Sequence, residues 1–234
     1  MNKQNIYALL EQKMLNYTDY AEVSLQSTNE PLVPIKASPN LTARQIGTDM
    51  APYTGDKVYA RTGTLERLTQ AAENLASYDE SLELEVVYGY RAPEIQTNLF
   101  EKFKSELASQ YDDEQALLSA THRLVAVPDV AGHPTGGAVD IQIVQGDEPL
   151  DFGTNIWEFE PDSYTFSPFI SPEGWRNRQL LRRIMIGAGF APFDGEWWHF
   201  SYGDKEWAKY YGAPAAIYEQ TEFTAQGEQA KQPL

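Results

Sequence analysis

The sequence predicts an α+β fold: a small, mainly antiparallel sheet with flanking helices. Two observations carry this reading. Segments with helical spacing of apolar residues precede and flank a few non-consecutive strand-like segments. The clearest strand, 138–144, alternates cleanly: Val139, Ile141 and Ile143 point one way, and Ala138, Asp140 and Gln142 the other.

In chain order, Ile6, Leu9, Leu10 and Met14 predict a short amphipathic helix over 5–16, and 21–25 reads as a strand. Residues 28–57, rich in Pro, Asn, Thr and Gly, read as a long loop. A helix opens at Thr62, with Thr64 as its cap and Leu65, Leu68, Ala71, Ala72 and Leu75 as its buried stripe. Residues 82–89 form a strand, and Pro93 starts a helix that runs to about Ser109. A further helix covers 113–124, and 145–170 is irregular. The 172–188 segment is helical and ends at its glycines, 196–202 is the last core strand, and 204–211 is a short helix.

The 234 residues suit one domain, expected over 1–220 with an N-terminal helical and loop extension; 221–234 reads as a polar, mobile tail. There is no cysteine, so disulfides, thiolate nucleophiles and Cys-rich metal sites are excluded. With 34 acidic and 18 basic residues the net charge is −16, which argues against nucleic acid or an anionic membrane as partner. No apolar run is long enough to span a bilayer, and the first residues lack signal-peptide features. The cytoplasm is the expected location, with the periplasm the alternative if residues are missing ahead of Met1.

Three stretches could carry chemistry. In 133–140 (HPTGGAVD) a histidine in a Gly-rich turn precedes an aspartate projecting from a strand. Taken alone, this fits a satisfied buried aspartate and an ordinary loop histidine equally well. In 195–202 (GEWWHFSY), Trp197, His199 and Ser201 share one strand face, and Asp194-Gly195 suggests that Glu196 sits in a turn or bulge that re-aims it. In 88–96, Arg91 stands where a strand ends and a helix begins, placed to hold a carboxylate or oxyanion; an ordinary ion pair accounts for it better on this segment alone. Together His133, Asp140 and His199 make a sensible three-ligand zinc site on the sheet face, provided two strands lie side by side. Glu196 would then be the carboxylate that takes a proton from the attacking water.

The pattern His-x-x-Gly-x-Ala-x-Asp, a later Glu-x-Trp-His and an upstream Gly-Tyr-Arg resembles the zinc D-alanyl-D-alanine dipeptidases and their D-Ala-D-Ala carboxypeptidase relatives. The run 196–204, the Asn177-Arg-Gln-Leu-Leu helix and Gly189-Phe190 extend the likeness, which covers about 40–210. The resemblance implies one zinc ion per chain on His133, Asp140 and His199, Glu196 as general base and acid, and Arg91 as the group stabilising the carbonyl. It implies hydrolysis of D-Ala-D-Ala or a closely related small D-amino-acid peptide as substrate. D,D- or L,D-carboxypeptidase action on peptidoglycan stem peptides is the alternative, and a non-catalytic zinc module is the alternative of another class. His122 matches nothing in the pattern and is expected at the surface or a helix end. Two departures stand out: Ala131 where the family has Ser, and Phe152-Gly-Thr-Asn-Ile-Trp157-Glu158 where it has Met-Gly-Thr-x-Phe-Asp. Glu158, shifted by one residue, is the candidate for the family carboxylate that holds the substrate's amino terminus, and Trp197 is a candidate pocket wall.

Overall fold

The computed structural model describes residues 2–223. Helices α1 (Lys3–Glu11) and α2 (Tyr17–Tyr20) open the chain, capped by the Asn2 and Asn16 side chains. The strand expected at 21–25 does not form. That stretch holds a single isolated bridge among the described residues, between Leu25 and Ala216. The expected loop at 28–57 instead holds β1 (Leu32–Pro34), β2 (Leu41–Ala43) and α3 (Ala51–Thr54). Elements of three or four residues are too short to leave a readable periodicity.

β3 (Tyr59–Arg61) pairs with β1 in a two-stranded antiparallel sheet. Helix α4 (Thr62–Tyr78) follows directly, and its N-cap position is Arg61. Thr64, the expected cap, is buried inside the first turn. Then come β4 (Leu82–Tyr88), α5 (Pro93–Leu107), α6 (Glu114–His122), β5 (Ala138–Gln145) and β6 (Glu148–Pro149). Helix α7 (Pro172–Gly187), β7 (Ala191–Pro192), β8 (His199–Ser201) and α8 (Lys205–Tyr211) complete the set.

The larger sheet has the order β2-β4-β5-β8-β7, with β6 beside β5. The β2–β4 pair is parallel, and the other pairs are antiparallel. The α+β class with a mainly antiparallel sheet is therefore observed. Alternation along β4 and β5 builds the core. Leu84, Val86, Val139, Ile141 and Ile143 are buried in one cluster with Leu68, Ala71 and Leu75 of α4 and with Leu181 and Met185 of α7. Each large aliphatic side chain buried there contributes about 1.5–3 kcal/mol. Trp175, placed among the apolar positions of α7, is exposed.

Asp140, Gln142 and Glu85 are the buried polar residues of these central strands. Glu85 accepts hydrogen bonds from Gln142 Nε2 at 2.7 Å and Arg44 Nε at 2.8 Å, so that carboxylate is satisfied. Residues 221–223 are packed, with Thr221 accepting a 2.7 Å hydrogen bond from Tyr90 and Phe223 against Tyr59. The remainder of the expected mobile tail, 224–234, lies outside the described residues. Among the described residues no helix is long and apolar enough to cross a membrane.

Candidate metal centre

Strand register brings the first two candidate ligands together. Asp140 of β5 is the direct cross-strand partner of His199 on β8 and, on its other side, of Tyr88 on β4. Directly opposed residues project to the same face, so Tyr88, Asp140 and His199 form one row across three strands. An irregularity between Val86 and Tyr88 sets Tyr88 into that row.

His133 arrives from the turn ahead of β5. Gly136 there is left-handed, with φ 75°. At Gly137 a Cβ would lie 2.2 Å from the Tyr202 carbonyl, so only glycine lets the turn seat against the sheet. His133 Nδ1 lies 2.7 Å from the Gly89 carbonyl. Donation to that carbonyl fixes the tautomer and leaves the Nε2 lone pair for the cavity. Nε2 lies 3.4 Å from Asp140 Oδ1, and His199 Nδ1 lies 3.2 Å from the same oxygen. One potential ligand atom from each of the three residues falls within 4.8 Å of the others. Two imidazoles and a carboxylate, with one ring nitrogen already committed elsewhere, are a donor set that fits a divalent transition metal. Burial works against the Asp140 charge, but the two imidazoles hold its carboxyl well below the usual range. Burial would lower His199, yet the hydrogen bond and charge of Asp140 raise it to about 9.

Glu196 is in a turn, because β8 begins only at His199. Its N–H donates to the Phe193 carbonyl, and its own carbonyl accepts from His199 N–H at 3.1 Å. The turn aims its carboxylate into the same cavity, where burial pushes it up to about 8. Arg91 reaches the cavity from the end of β4. Its Nε donates to Tyr88 Oη at 3.0 Å and Nη1 to Gln96 Oε1 at 2.8 Å. Tyr88 in turn donates to Asp49 Oδ2 at 2.5 Å. Tyr88, Asp140 and Asp49 outweigh burial and keep Arg91 firmly charged.

The cavity encloses about 380 Å³ and takes in all three candidate ligands, Glu196, Arg91 and Asp49. Two expected members lie elsewhere. Trp197 is buried in the core, stacked on Phe152 at 4.0 Å, and it is Trp198 that lines the cavity. The alternation assumed for 196–202 does not extend into a turn. Glu158 bends back to accept from the Asn155 N–H at 3.0 Å, while its neighbours Trp157 and Phe159 line the cavity. Trp157, at φ 62°, donates its indole N–H to Asp140 Oδ2 at 2.8 Å. His122 does end a helix, α6, but it is buried against the cavity rather than on the surface. Asp49 and Glu206 carried no sequence signal, whereas Trp157 was visible as a departure from the family pattern.

Residues 40–217 match the D-Ala-D-Ala dipeptidase family of M15 peptidases. A D-alanyl-D-alanine dipeptidase of Synechocystis sp. is 30% identical over 224 residues, covering 82% of this chain and 90% of that protein. One from Escherichia coli is 37% identical over 71 residues, 30% of this chain and 37% of that protein. Among solved structures, the LD-carboxypeptidase LdcB superposes with a TM-score of 0.44 at 20% identity, covering 80% of this chain and 75% of that one.

Proposed function

The chain belongs to the D-Ala-D-Ala dipeptidase family of peptidases, and on that premise we propose that it hydrolyses D-Ala-D-Ala, or a closely related small D-amino-acid peptide, with one zinc ion per chain. The observation that carries this reading is the convergence of His133, Asp140 and His199 beside Glu196 in one cavity. Those three residues would hold the ion. Zinc at such a site supplies an acidified water as nucleophile and polarises the scissile carbonyl.

The chain's own groups do the rest. Glu196 takes the proton released by the attacking water and returns it to the departing amine, a role suited to a carboxyl that lines the cavity beside the candidate ligands. Arg91, already oriented by Tyr88 and Gln96, meets the charge that develops on the carbonyl oxygen. Asp49, a carboxylate on the cavity wall, is the acid available for the substrate's ammonium group. Trp157 and Phe159 wall the cavity, and the Trp157 indole steadies Asp140.

Metal analysis with an amine-release assay tests the reading. One zinc per chain and cleavage of D-Ala-D-Ala but not L-Ala-L-Ala are expected. Protein that binds no zinc, or that cleaves neither dipeptide, overturns it. A second reading, carboxypeptidase action on stem peptides, draws support from the apolar side chains of Leu99, Phe103, Leu124 and Val125 that line the same cavity. Faster release of the terminal residue from a stem pentapeptide than from the dipeptide would favour it.

A further inference from the structure

With Nδ1 of His199 turned to Asp140, the second ring nitrogen needs a partner. Nε2 lies 3.7 Å from Glu206 Oε2. Glu206 stands in the first turn of α8, which Asp204 fixes by accepting from Trp207 N–H and Ser201 Oγ, both at 2.8 Å. Its other oxygen, Oε1, faces the Tyr20 hydroxyl at 3.5 Å. Both residues are buried. Among the described residues no Lys or Arg forms an ion pair with Glu206; the ion pair it does form is with His199. An acid buried this way is costly unless its charge is used.

We propose that Glu206 is a positioning residue for the metal centre, with Tyr20 holding it in place. It accepts the Nε2–H of His199 and so selects the tautomer that presents Nδ1 to the metal. At 3.7 Å the contact is longer than a hydrogen bond, and a small rotation of the ring makes it one. The carboxylate also raises the basicity of the imidazole as a ligand. Tyr20 belongs to α2, ahead of the matched span 40–217, so the N-terminal segment becomes part of the metal centre. The inference rests on His133, Asp140 and His199 being the metal ligands.

The test is competition for zinc against a chromophoric chelator, with thermal melting of the metal-free proteins alongside. The unaltered chain is expected to bind one zinc and His199→Ala to lose it. If either fails, the ligand assignment itself falls. Glu206→Gln should weaken zinc binding by about 10–100-fold. Tyr20→Phe should weaken it by about 3–10-fold. Metal-free melting temperatures at or above that of the unaltered chain separate this from loss of fold. Zinc affinity unchanged in Glu206→Gln overturns the proposal. If that variant does not fold, unchanged affinity in Tyr20→Phe overturns it instead.

Discussion

Asp140 and His199 face each other as direct partners across β5 and β8, with the His199 ring nitrogen 3.2 Å from the carboxylate. The backbone pairing itself thus brings an acid and an imidazole to metal-binding separation. What each group then does can be probed one at a time.

Glu196→Gln keeps the shape of the turn and removes the proposed proton carrier. Zinc content should stay at one per chain while kcat falls by about 10²–10⁴-fold. Steady-state kinetics on D-Ala-D-Ala with metal analysis of the same sample checks both halves. A near-normal rate would remove Glu196 from the mechanism.

Metal uptake should release a proton. His199 in the metal-free protein is raised to about 9, so it is charged at pH 7 and must lose that proton to become a ligand. Apparent zinc affinity should therefore rise about tenfold per pH unit from pH 7 to near 9, then level off. Calorimetry in two buffers of different ionisation heat should report about one proton released at pH 7.

Trp157→Phe keeps the aromatic wall and deletes one hydrogen bond to Asp140 Oδ2. Zinc should bind about tenfold more weakly. Glu158→Gln should leave both affinity and KM unchanged, because its carboxylate serves the 155–158 turn. Chelator competition and KM measurements on the two variants discriminate these neighbours.

Arg178 is fully buried and donates to the carbonyls of Phe152, Asp162 and Tyr164, each at 2.7 Å. It also donates to Thr154 Oγ1 at 3.0 Å, so one guanidinium pins the loop that carries Trp157. Arg178→Met would strand the Phe152 and Asp162 carbonyls and leave the Tyr164 carbonyl only its bond from Ser167 N–H. Urea unfolding should show a loss of about 3–5 kcal/mol, and limited proteolysis should cut within 152–164.

The helices of the core and β5 were legible because each is long enough to show its period. The stripe of α4 and the alternation of β5 needed no tertiary information. β1, β2 and α3 were hidden because their lengths are below a period and pairing alone defines them. At the site, His133, Asp140, His199 and Glu196 were legible as residue types in a short pattern, and Asp194-Gly195 announced the turn that re-aims Glu196. Trp197 was misplaced because face parity was carried from a strand into a turn. Asp49 and Glu206 were illegible because only tertiary packing brings them to the cavity, from positions with no local feature.

The row across β4, β5 and β8 also bears on length variation. Asp140 and His199 are 59 positions apart in sequence, yet their separation is set by the spacing of neighbouring strands, about 4.5–5.5 Å between opposed Cα atoms. Insertions or deletions in the intervening loops leave that spacing alone. Removing a single residue from β5 ahead of Asp140 would set its apolar neighbour Ile141 opposite His199 and dismantle the centre. The spacing of this pair is thus indifferent to the length of the intervening loops and sensitive to one residue of slip in a strand.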